Sequence, residues 1–280
     1  MFAMSDAQFG LVYNILSFSL ASMMSTTLFL WMRVPAVKNQ YQSALIISGM
    51  VTFIAAYHYL RIFNSWVDGD SYPAVTDKDM YGGHGDRAEP GRPVLTGTPF
   101  NDAYRYMDWL LTVPLLLIEI ILVMTLSPEE SNKQCWRLGV LSALMILSGY
   151  KGELVLSGDL TPRWYSWLLS MSFFLFIVQT LLVGLAAATN AEPDAKVKGL
   201  IRSAQVWTVV SWCTYPIVYV FPMMGISGPS SVIAIQLGYS CSDIISKCGV
   251  WLLSVAGRAQ RLSGSCVMSC TLFLWARVPP

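Results

Sequence analysis

Apolar residues in this chain fall into seven long stretches separated by polar and turn-forming residues. The stretches cover roughly 9–32, 42–65, 102–126, 136–155, 163–188, 201–225 and 231–256. Each is near the ~20 residues that an α-helix needs to cross a bilayer core of about 30 Å. The breaks read RVPAVKNQ, SPEESNKQ, SGDLTP, ATNAEPDAK and ISGPSS, and carry the Pro, Gly, Asn, Asp and Ser of turns. The pattern predicts an all-α membrane protein, a bundle of seven transmembrane helices forming one domain over 1–257, with a tail over 258–280. One connection, about 66–101, is long and rich in Gly, Pro and Asp. It is expected to hold a short hairpin or to be mobile.

Composition supports a lipid-embedded chain. Of 280 residues, 54% are hydrophobic and 12% charged, against about 25% charged in soluble domains. A net charge of +1 implies no polyanionic partner such as nucleic acid. The six cysteines lie mostly in or beside apolar runs, so neither a disulfide framework nor a metal site is expected. The opening MFAMSDAQFG has no basic run, so the first stretch is expected to stay in place as a span. Residues 267–280 repeat 23–36 at ten of fourteen positions, a partial copy of the first span.

Basic residues set an orientation. Arg33 and Lys38, Lys133 and Arg137, and Lys196, Lys198 and Arg202 follow spans one, three and five, and Arg258 and Arg261 follow span seven. By the positive-inside rule these sites face the cytoplasm, which puts the N-terminus and the 66–101 loop outside.

Span three carries the chemistry. Its run YRYMDWLLTVPLLLIE holds Arg105, Asp108 and Glu119 among apolar residues. Ionisable groups inside a membrane are costly and mark function or pairing. In a helix, Arg105, Asp108 and Thr112 share a face. Glu119 is eleven residues beyond Asp108, roughly 16 Å at the helical rise, or about half a bilayer core. Two carboxyl groups at two depths suit a proton crossing in steps.

Span seven holds a lone amine, Lys247, with Asp243 one turn before it. The pair reads either as a structural ion pair or as a Schiff-base lysine with its counter-ion. In span six, Trp212, Tyr215 and Tyr219 form an aromatic stripe around Pro216, which kinks the helix. Packing alone explains such a stripe, but with Trp109 and Trp167 it can also box a flat, elongated polyene. His58 in span two reads as a satisfied core histidine or as a partner that shares a proton with Asp108.

Taken together, RYMDWLLTVPLLLIE, SDIISK and the order of motifs resemble the microbial (type 1) rhodopsins, most closely the proteorhodopsin and xanthorhodopsin group of light-driven proton pumps. The resemblance spans nearly the whole chain. It implies seven helices around all-trans retinal, bound as a Schiff base to Lys247. It makes Asp108 the proton acceptor and primary counter-ion, Asp243 the second counter-ion, and Glu119 the cytoplasmic proton donor. Arg105, His58, Tyr59 and Thr112 become partners of the counter-ions. Trp109, Leu116, Met145, Gly149, Trp167, Ser170, Trp212, Tyr215, Pro216 and Tyr219 become the retinal pocket.

The match has departures. The connection MGISGPSS carries no carboxylate, so the paired release glutamates of some archaeal pumps have no counterpart there. Trp167 stands where carotenoid-binding relatives have glycine, so no antenna is expected. The function implied is a light-driven outward proton pump, an ion transporter and not an enzyme, acting on protons in a lipid bilayer. A homo-oligomer is compatible with it. A sensory photoreceptor signalling to a partner is the alternative, disfavoured by the carboxyl at Glu119. A light-gated channel comes third, since more polar spans would be expected.

Overall fold

The computed structural model describes residues 5–37, 39–68, 103–122, 126–155, 159–191, 195–226 and 229–249, and these fall into seven helical rods. They are α1 (Asp6–Arg33), α2 (Asn39–Asp68), α3 (Ala103–Leu122), α4 (Pro128–Glu153), α5 (Thr161–Gln179), α6 (Ala195–Trp212) and α7 (Pro229–Asp243). The rods match the seven apolar stretches, with ends shifted by a few residues. Most of the long connection, the tail over 258–280 and the repeat within it lie outside the described residues.

Local chemistry sets several ends. Ser5 opens α1 with a capping box: its hydroxyl accepts from Gln8 N, and the Gln8 side chain accepts from Ser5 N. Ser127 caps α4 in front of Pro128, with Glu129 and Glu130 in the first turn, where the helix dipole favours acids. Asp159, in the α4–α5 connection, accepts from Thr161 N at 2.9 Å, and its bonds to Thr161 hold its carboxyl below the usual range.

Four rods carry an internal proline, a break or a π-helical turn. Pro114 sits inside α3, which continues through it, as membrane helices tolerate. A π-helical turn, Thr180–Gly184, joins α5 to a short helix, Ala186–Ala191. The sixth rod breaks at Cys213 and resumes as Thr214–Tyr219, with Pro216 inside the second piece. α7 ends in a π-helical turn, Ile244–Gly249, which contains Lys247.

Each rod packs on the next, and α7 returns to α1, closing the ring. α3 lies between α2 and α4 and is buried along most of its length. The outward faces are apolar: Leu11, Phe18 and Leu28 on α1, Val140, Leu144 and Leu147 on α4, and Leu168, Leu175 and Phe176 on α5 are exposed. The largely apolar interior also encloses charge, with Arg105, Asp108, Asp243, Lys247 and Arg163 almost fully buried. Apolar outside and charged inside suits lipid as the solvent. By length and composition, Ala7–Ala36, Gln42–Asp68 and Thr161–Ala191 can each cross a membrane.

Candidate functional site

At the centre of the ring the π-helical turn of α7 aims Lys247 inward, 1% exposed. Its amine donates to Oδ2 of Asp108 on α3 and lies 3.1 Å from Oδ1 of Asp243, one turn back on α7. The two carboxylates are held very differently. Asp243 is saturated: Oδ1 accepts from Trp109 Nε1 at 3.0 Å and Tyr215 Oη at 2.7 Å, and Oδ2 accepts from Tyr59 Oη at 2.7 Å. Asp108 has the amine on Oδ2, while its buried Oδ1 has no hydrogen-bond partner among the described residues. Thr112, on the same face, donates to the Asp108 backbone carbonyl at 2.8 Å and leaves the carboxylate alone.

Arg105 closes this cluster on the side nearer Tyr104. It donates to Tyr59 Oη at 3.1 Å and Gln236 Oε1 at 2.7 Å, and stands 3.8 Å from Asp243 Oδ2. Its guanidinium lies over the rings of Tyr59 and Tyr239. Lys247 and Arg105 thus balance Asp108 and Asp243, four buried formal charges summing to zero. Deleting one member of a buried pair typically costs about 3–5 kcal/mol, because the survivor stays charged without compensation.

An apolar cavity, walled mostly by aromatic and aliphatic side chains, leads from Lys247 between α3, α4, α5 and α6. All ten pocket positions expected from the sequence line it: Trp109, Leu116, Met145, Gly149, Trp167, Ser170, Trp212, Tyr215, Pro216 and Tyr219. Side chains fasten the wall to backbone. Trp167 Nε1 donates to Pro216 O at 3.1 Å, Ser170 Oγ to Met145 O at 2.9 Å, and Tyr219 Oη to Gly149 O at 3.0 Å. A Cβ on Gly149 would meet Ser170 Oγ at 3.3 Å, so this glycine admits the close approach of α4 and α5. Trp109 packs edge-on against Tyr106, Tyr215 and Tyr239.

His58 is buried on α2, and its Nδ1 has no hydrogen-bond partner among the described residues. No hydrogen bond among the described residues joins it to Asp108. Glu119 is buried near the opposite end of α3 from Arg105, well away from the charge cluster.

Residues not singled out from the sequence also belong here: Tyr106 and Tyr239 line the cavity and Gln236 holds Arg105. The α7 residues carried a signal, since 236, 239, 243 and 247 follow the spacing of one helical face.

Residues 12–260 match the family model described as bacteriorhodopsin-like protein. The chain is 24% identical over 228 residues to the green-light absorbing proteorhodopsin of Gamma-proteobacterium EBAC31A08, covering 81% of this chain and 78% of that one. Among solved structures it is similar to xanthorhodopsin, described as a light-driven ion pump with dual chromophore, at 33% identity and a TM-score of 0.78, over 93% of this chain and 98% of that one. Thermophilic rhodopsin is similar at 36% identity and the same TM-score, over 94% and 98%. With a ring of seven helices, a buried lysine between two aspartates and a family match over nearly its whole length, the chain belongs to the bacteriorhodopsin-like family of microbial rhodopsins.

Proposed function

We propose that the protein is a light-driven pump that carries protons outward across a membrane, with all-trans retinal held on Lys247. The observation that carries the reading is the asymmetry of the two aspartates among the described residues: Asp243 accepts three side-chain hydrogen bonds, whereas Asp108 has one oxygen on the amine and the other, buried, without a partner. A saturated carboxylate is held as an anion, and the open one can take a proton. The cavity also suits the chromophore, being apolar, walled by aromatic rings and reaching a buried primary amine.

When bound, retinal supplies light absorption and an isomerisation that reorients the Lys247 nitrogen; the protein supplies orientation and electrostatics. Asp108 receives the proton from Lys247 Nζ, which already donates to its Oδ2. Asp243 remains charged and keeps the buried net charge from swinging further. Arg105, tied to Tyr59 and Gln236, shields the proton on Asp108 from the Tyr104 end until the charges rearrange. Glu119 returns a proton to Lys247 Nζ from the other side. The basic connections orient that side toward the cytoplasm, with the N-terminus outside.

Two predictions concern colour. In Asp108→Asn the carboxylate that offsets the Lys247 charge is gone. Its visible band is expected to lie to the red of the parent's and to lose the red shift that the parent shows when acid protonates Asp108. A spectrum and acid titration matching the parent's would remove Asp108 from the counter-ion role. Leu116, on the cavity wall, presents no dipole to the polyene, so green absorption is expected. Leu116→Gln is expected to move the band to the blue, and an unmoved band would place the side chain away from the chromophore.

The functional test is a pH electrode in an unbuffered suspension of cells expressing the protein and supplied with retinal. Illumination is expected to acidify the medium, and a protonophore to abolish the change. Light-induced alkalinisation, or no change from a coloured protein, would contradict outward pumping.

A further inference from the structure

A second buried ionic cluster stands at the Tyr104 end of the bundle, separate from the charges around Lys247. Arg163, in the first turn of α5 and 0% exposed, pairs with Glu153 on the last turn of α4 at 3.2 Å. The placement opposes both helix dipoles, since a cation starts α5 and an anion ends α4. The guanidinium compensates by collecting carbonyls at two helix ends: Gly152 and Glu153 of α4 and Val155 just beyond it, each at 3.4 Å, and Tyr219 from the sixth rod at 3.1 Å. It also lies 4.4 Å over the Tyr219 ring. Glu153 Oε2 accepts from Tyr106 Oη at 2.9 Å. One pair therefore grips four helices.

Its two aromatic partners, Tyr106 and Tyr219, line the cavity. Gly149, which accepts from Tyr219 Oη, lies one turn before Glu153 on α4. Trp167 lies one turn after Arg163 on α5. α4 and α5 form the part of the cavity remote from α7, so the pair stands one turn from the end that would hold the ring of a chromophore fixed to Lys247.

We propose that Glu153 is a positioning residue for the chromophore: paired with Arg163, it sets the Tyr106 and Tyr219 walls and keeps the field at the far end of the cavity balanced. This rests on the retinal reading above. Excitation moves positive charge along the polyene, away from the Lys247 nitrogen. With Glu153 neutral, the buried guanidinium is uncompensated near the charge's destination and opposes that movement.

The test measures the visible band and the rate of pigment formation on adding all-trans retinal to the apoprotein. Glu153→Gln is expected to shift the band to the blue and slow pigment formation several-fold, whereas Glu153→Asp, which keeps the charge, restores the band. Tyr106→Phe removes only the hydroxyl that Glu153 holds. It is expected to slow pigment formation as well, and in Tyr106→Phe/Glu153→Gln the two effects are expected to combine less than additively. Should Glu153→Gln lose thermal stability yet keep the parent's band and rate, the pair is a structural clamp only and the proposal is overturned. If Glu153→Gln does not fold, an unchanged rate in Tyr106→Phe overturns it equally. A parent protein that forms no pigment would instead defeat the retinal reading itself.

Discussion

Lys247→Ala is expected to leave the protein colourless in the presence of all-trans retinal. Lys247 is the amine at the end of the cavity, and Asp108 and Asp243 both address it. Without it no imine can form on the chain, so the visible band is expected to vanish altogether. The substitution also leaves two buried carboxylates facing Arg105 alone, and removal of a buried ionic partner costs about 3–5 kcal/mol. A folding control is therefore part of the experiment. Retinal already condensed with a small primary amine brings its own cation to the cavity, and is expected to restore a visible band in Lys247→Ala. A normal band in Lys247→Ala with retinal alone, without added amine, would show that another group carries the chromophore.

Glu119→Gln is expected to keep the pigment and its first light-driven proton transfer but to slow recovery at least about tenfold, equivalent to about 1.4 kcal/mol in barrier. The substitution preserves shape and removes the exchangeable proton. Glu119 lies about 16 Å along α3 from Asp108, three helical turns, so proton return to Lys247 Nζ needs transient water between them. In the variant that proton has to come from the bulk, and recovery is expected to slow further as pH rises. Azide, a small mobile proton carrier, is expected to restore part of the rate. Flash photolysis across a pH series checks this. Recovery at the parent's rate would make Glu119 a buried polar residue only, and the sensory reading would gain.

Much of this architecture was legible because lipid imposes a strong rule on sequence. Seven apolar runs near bilayer length predict seven rods, and the ionisable residues inside them stand out because each is costly. Arg105, Asp108, Asp243 and Lys247 were found that way, and the structure brings them together at the centre of the ring. The pocket positions came through the family resemblance, since an aromatic stripe by itself looks the same whether it packs a core or lines a cavity.

What stayed hidden depends on contacts between rods. Thr112 shares a face with Asp108, yet its hydroxyl is bound to the backbone carbonyl, a choice that helical spacing does not reveal. Gln236 is unremarkable until Arg105 is seen donating to it. Glu153 and Arg163 lie ten residues apart on either side of a turn, and their sequence reads as ordinary solvated charge at helix ends. Only the folded bundle buries them and shows Tyr106 and Tyr219 in their grip.

The central claim, outward proton pumping, is tested most directly by the stationary photocurrent of a voltage-clamped membrane with protons as the only permeant ion. The account predicts an outward current in continuous light that persists across a range of voltages without reversing. A current that reverses with voltage would make the protein a light-gated channel, and a charge displacement at light onset with no stationary current would contradict pumping.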